Sequence, residues 1–129
     1  MQTTIQHLYK PSNDDNSLFY AWFLAMHTRV DIILCSRKSE GELLLVVNRI
    51  YDALCRLEKM ANFYDPASEL SVVNRTAFVS PVVLSEELYS MIDLCLEYNS
   101  KTLGCFDVTV HSENYNQNTI HSVHLSAGD

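Results

Sequence analysis

From Ser39 to about Phe63, apolar side chains return in steps of three and four: Leu43, Val47, Ile50, Leu54, Leu57 and Ala61. That is the period of an α-helix with a single apolar stripe. Ser39 and Glu42 supply an S-x-x-E capping box at its start. Much of the remaining surface carries Glu42, Arg49, Asp52, Arg56 and Lys59, which read as a solvated face. A helix of this kind gains little on its own and must lay its stripe on a sheet or another helix.

The segments before it offer such a layer. Leu18–Met26 (LFYAWFLAM) is apolar, and Arg29–Ser36 (RVDIILCS) is rich in β-branched residues, so the second reads as a strand. The first is either its hairpin partner, turning around His27 and Thr28, or part of one long bent strand. Leu18–Met26 is too short to span a bilayer. It also begins behind the polar stretch Pro11–Ser17, and Met1–Gln6 is not a basic leader. With no signal peptide or lipobox cysteine, a cytoplasmic location is expected. Residues 1–17 are expected to be a polar N-terminal segment, and 18–129 a single domain.

Downstream, Pro66 ends the long helix and turns Asp65 away from helical geometry. Ser68 caps a short turn, SELSVVN, and Phe78–Val83 looks extended around Pro81. Ser85 then opens a second helix with Glu86 and Glu87 in its first turn. Leu88, Met91, Ile92, Cys95 and Tyr98 are expected along its apolar face. Gly104 is placed to stop it in a left-handed conformation. Phe106–Val110 (FDVTV) alternates like a strand, Ser112–Thr119 reads as a loop, and Val123–Leu125 as a last short strand. Strands and helices without regular crossovers point to an α+β fold.

Charge narrows the function. The 129 residues carry a net charge of −7, so a global basic field for nucleic acid is absent. The three glycines do not cluster, which excludes a phosphate-cradling glycine loop. Cys35, Cys55, Cys95 and Cys105 form no C-x-x-C pair and read as buried thiols. His121 and His124, three apart on a strand, would point to opposite faces and make a poor shared metal site.

Two segments are more specific: Phe63–Asn74 (FYDPASELSVVN) and Thr102–Val110 (TLGCFDVTV). On a strand, Asp107 and Thr109 share one face. They either hydrogen-bond a ligand or cap local amides. Tyr64 either packs or offers its ring to a planar ligand.

At these residues the sequence resembles the ApbE family of flavin transferases. That family carries an aromatic residue, a D-x-x-S-E-L-S-x-x-N stretch, a helix, and then T-x-G-x-F-D-x-T-V. Tyr64–Asn74, the helix opened by VSPVVLSEEL, and Thr102–Val110 follow that order, and Met26-His27-Thr28 stands where the family has Met-Gly-Thr. The resemblance implies an ApbE-like, T-fold-related layer of antiparallel strands packed on two main helices. It implies a magnesium-dependent enzyme that cleaves FAD, transfers FMN to a threonine of an acceptor protein such as a redox-complex subunit, and releases AMP. Met26, Tyr64, Cys105, Phe106 and Asp107 would then contact FAD, with Ser68, Glu69 and Asn74 as scaffold. His27 departs from the family glycine. The family's Gly-rich D-x-G-G-x-x-K-G stretch and its magnesium-binding Asp and Thr have no match here, so the metal ligands and the rest of the domain are expected outside this sequence. The competing expectation is a non-catalytic flavin-binding or assembly module, with a homo-oligomer as a natural partner.

Overall fold

The computed structural model of the chain describes residues 4–12 and 16–127. It is α+β, with a three-stranded antiparallel sheet and three α-helices. The chain forms two compact units, Met1–Ser68 and Glu69–Asp129.

In the first unit the strands β1 (Gln6–Lys10), β2 (Ser17–Ala25) and β3 (Thr28–Ser36) lie in the order β1-β2-β3. Helix α1 (Glu40–Ala61) packs on β2. Alternation in β2 sends Phe19, Ala21, Phe23 and Ala25 to one face, where they are buried with Leu43 and Val47 of α1. The capping box at Ser39 is complete: Glu42 N–H donates to the Ser39 hydroxyl, and the Glu42 carboxylate accepts from Ser39 N–H at 2.9 Å. The single stripe therefore finds its layer in a sheet.

Strand β1 lies within the segment read as a polar lead-in. Its inward residues are not aliphatic, which hid it. His7 stacks on Phe19 with ring centroids 5.1 Å apart, and Tyr9 tilts against the same ring. Part of the turn expected at Pro11–Ser17 falls on residues 13–15, outside the described residues. The β2–β3 hairpin alternative holds, and the long bent strand does not. The two connecting residues, Met26 and His27, have φ of 53° and 59°. Those angles suit a two-residue turn whose twist matches its strands.

The second unit contains α2 (Glu69–Thr76) and α3 (Glu86–Lys101). SELSVVN, read as a short turn, lies almost wholly within α2. Ser85 caps α3 by accepting the Leu88 N–H, as its position predicts. The face of α3 is rotated from expectation: Leu88 is buried and Ile92, Cys95, Leu96 and Asn99 are half-buried, whereas Met91 and Tyr98 are exposed. Phe78–Val83 is irregular rather than extended strand, and neither Phe106–Val110 nor Val123–Leu125 is a strand. A 3₁₀ turn, Thr119–Ser122, begins where the polar loop was expected to end, and its Ile120 is buried.

Candidate functional site

Of the residues singled out, two belong to the first unit. Met26 sits at the hairpin tip with its side chain partly exposed, and its N–H donates to the Glu58 carboxylate of α1 at 3.2 Å. Tyr64 lies in the loop after α1. That loop is built from local bonds. Asn62 Oδ1 accepts Tyr64 N–H at 3.0 Å, Asp65 Oδ1 accepts Ala67 N–H at 2.9 Å, and the buried Ser68 hydroxyl donates to the Asn62 carbonyl at 2.6 Å. Ser68 is thus scaffold, as the sequence suggests. The Tyr64 ring is 81% exposed and touches Phe63 edge-on. At that exposure it is not the half-buried packing residue of its alternative reading.

In the second unit, Glu69 accepts both the N–H and the hydroxyl of Ser85, at 3.0 and 2.7 Å, bracing the start of α2 against the cap of α3. The chain leaves α3 through Leu103 and Gly104, with φ of 55° and 87°. Gly104 thus adopts the left-handed stop expected of it, and Leu103 shares that geometry. The next residues are held by the last turn of the helix. Thr102 Oγ1 accepts Phe106 N–H at 2.9 Å, and Asn99 Nδ2 donates to the Phe106 carbonyl at 2.8 Å.

Asp107 follows, and its bonds explain why FDVTV is not a strand. Its Oδ1 accepts the Thr109 N–H at 2.8 Å and the Thr109 hydroxyl at 2.6 Å. Its Oδ2 accepts the Tyr115 hydroxyl at 3.0 Å. A carboxylate that gathers its own neighbour's amide bends the backbone into a turn. The local-capping reading of Asp107 is the one observed. These donors, the Thr109 hydroxyl foremost, hold the Asp107 carboxyl below the ordinary carboxylate range. The same bond, seen from the phenol, raises Tyr115.

Beside this turn is an open hollow of about 900 Å³. Asn99, Cys105, Asp107, Tyr115, His121 and His124 are among the residues that line it. Phe106 is not, and its ring lies edge-on to Tyr98 instead. Sequence reasoning missed Asn99 and Tyr115, since a polar helix residue and a loop tyrosine carry no signal of their own. It also set His121 and His124 on opposite faces of a strand. No strand forms there: His121 lies in the 3₁₀ turn and His124 just beyond it, and both line the hollow. The cysteines differ from expectation as well. Cys35 and Cys105 are exposed, and Cys55 and Cys95 half-buried. Burial pushes the Cys95 thiol up. Among the described residues, no group of three or more His, Cys, Asp or Glu side chains could hold a metal ion. Nor is any helix among them long and apolar enough to cross a membrane.

A turn locked by T-x-G-x-F-D-x-T chemistry, reached through a capped helix and preceded by an exposed tyrosine loop, defines an α+β protein built on the ApbE pattern. The family model described as "ApbE family" matches residues 26–115, more than half of the chain. The chain belongs to the ApbE family. Neither the curated proteins nor the solved structures contain a match to it.

Proposed function

We propose that this chain is the flavin-nucleotide-binding portion of an FAD:protein FMN transferase. The observation that carries the reading is the family match over residues 26–115, which takes in Tyr64, Cys105 and Asp107. The hollow beside Asp107 supports it, because its volume of about 900 Å³ lies within the ~300–1,000 Å³ usual for small-molecule sites. In the implied reaction a threonine hydroxyl oxygen bonds to the phosphorus of the FMN half. The bond from that phosphorus to the bridging oxygen breaks, and AMP leaves with that oxygen.

The chain's own part is binding and orientation. Asp107 is ionised and already accepts three hydrogen bonds, so it is a poor proton acceptor. It acts as a positioning residue, fixing the turn and the Tyr115 phenol at the hollow's edge. Cys105 and the side-chain amide of Asn118, which also lines the hollow, offer polar contacts to a nucleotide there. The exposed Tyr64 ring is suited to cover a planar ring system. Magnesium would neutralise pyrophosphate charge in such a reaction. The described residues hold no donor cluster suited to it.

The family match over residues 26–115 also fits a second reading, a module that binds flavin without turnover. Titration of the purified chain with FAD, with and without magnesium, separates the two. Flavin fluorescence reports binding, and chromatography reports AMP and FMN. AMP release with FMN retained covalently on protein supports the transferase, AMP with free FMN shows hydrolysis instead, and binding without AMP supports the module. Tyr64→Ala and Asp107→Asn are each expected to weaken binding about tenfold, roughly 1.4 kcal/mol. Unchanged affinity in both overturns these two assignments.

A further inference from the structure

Within the first unit, the face of the sheet turned away from α1 is apolar and carries no helix among the described residues. Register places Leu8 of β1, Tyr20 of β2 and Ile33 of β3 in one row across all three strands. Leu8 and Ile33 are 65% and 66% exposed. Leu18 lies on one side of that row along β2, and Trp22 and the exposed Leu24 on the other. Trp22 stacks on Tyr20 at 5.0 Å. Single exposed apolar residues need no explanation, but a row flanked by more apolar residues on one face does.

We infer that this face is the interface of a homodimer, two sheets packed face to face about a two-fold axis. Symmetry and size point to a second copy, and the small charge of the face permits one. The chain carries −7 overall, so two copies repel unless they meet where carboxylates are scarce. This face is such a place. Its charged residues are Lys10, Arg29 and Asp31, an excess of one positive charge. The one acid, Asp31, is already held by Arg29 at 3.0 Å and by the Tyr20 hydroxyl.

A two-fold axis along the Leu8–Tyr20–Ile33 row is self-complementary, as an isologous contact must be. It lays β2 antiparallel over the partner's β2, within the usual range of aligned sheet packing. Leu18 then meets the partner's Trp22. Lys10 meets the partner's Gln6 and Asp31 the partner's Cys35, so no like charges oppose within the strands. Three strands, of which the longer two have nine residues, give a face about 14 by 30 Å, or ~400 Å² in projection. Upright Trp, Tyr and Leu side chains raise its accessible area toward the ~800 Å² per partner typical of a stable pair.

Sedimentation equilibrium of the full chain between about 5 and 200 μM tests this. The expected species at the upper end has twice the 14.7 kDa chain mass. Ile33→Glu and Leu8→Glu, at exposed positions outside the core, are each expected to raise the dimer dissociation constant on the order of 100-fold, with an unchanged far-UV spectrum. The emission of Trp22, the sole tryptophan, should shift red as the dimer separates. A chain that stays monomeric throughout overturns the proposal. So does a dimer that both variants leave intact, because its contact then lies elsewhere.

Discussion

His27 offers a perturbation whose sign depends on two opposed terms. It is exposed, is the second residue of the two-residue turn between β2 and β3, and has φ of 59°. A side chain with a Cβ costs about 1–2 kcal/mol in that left-handed region, toward the lower end for histidine, which tolerates it better than most residues. Glycine removes that cost but makes the unfolded chain freer, which costs about 0.4–1 kcal/mol. His27→Gly should therefore stabilise the fold by about 0.5 kcal/mol, raising Tm by roughly 2–4 °C. His27→Val, with a β-branched side chain in the same conformation, should lower stability by about 1 kcal/mol or more. Thermal and urea unfolding followed by circular dichroism measure both, with the urea slope unchanged if only stability moves. A glycine variant that is less stable than the parent, or a valine variant that matches it, refutes the reasoning. The glycine variant also restores the residue that the family pattern carries at this position. If the imidazole obstructs a nucleotide, FAD affinity rises in the same variant, and the two readouts are independent.

Other outcomes follow from the same geometry. Ser39→Ala removes the capping hydroxyl of α1 and should cost about 1 kcal/mol in urea unfolding. Val47→Ala deletes two buried methyl groups beneath the sheet and should cost about 2 kcal/mol. Thr102→Val keeps the shape but takes away the acceptor for Phe106 N–H, and should speed exchange of that amide while costing about 1 kcal/mol. The Asp107–Tyr115 pair sets a pH window. The Asp107 pKa is lowered by its donors, so its contribution is present above the unfolded value of 3.8 and is lost as pH falls through the lower folded value. The Tyr115 pKa is raised, so its contribution is present below 10.0 and is lost as pH rises through the higher folded value. Titration of the Tyr115 ring carbon by NMR should show an elevated pKa that Asp107→Asn brings back down.

Much of this architecture is legible in the residues, for reasons that differ by element. The α1 helix declares itself because its stripe, capping box and length agree. The β2–β3 hairpin is legible from two apolar runs separated by a short turn. Strand β1 is not, since His7 and Tyr9 look polar until Phe19 is known to lie opposite them. FDVTV misleads for the opposite reason. Its alternation is that of a strand, but an acid two residues before a threonine can satisfy the backbone locally, and the side chain wins. In the candidate site, the motif residues Cys105 and Asp107 could be named in advance. Asn99 and Tyr115 could not, because they matter through what they hold: a carbonyl seven residues on, and a carboxylate eight residues back.

The clamp on Phe106 has a kinetic side. Its donor, Asn99, lies seven residues back in the last turn of α3, and its acceptor, Thr102, four residues back at the helix cap. Closing such short loops costs little chain entropy and takes well under a microsecond. The turn that presents Cys105 and Asp107 can therefore take shape with the end of its own helix, without waiting for distant strands to find their register. In pulse-labelled refolding, the Phe106 and Thr109 amides should gain protection together with those of α3. A segment assigned to no helix or strand would then be among the earliest parts of the molecule to become ordered.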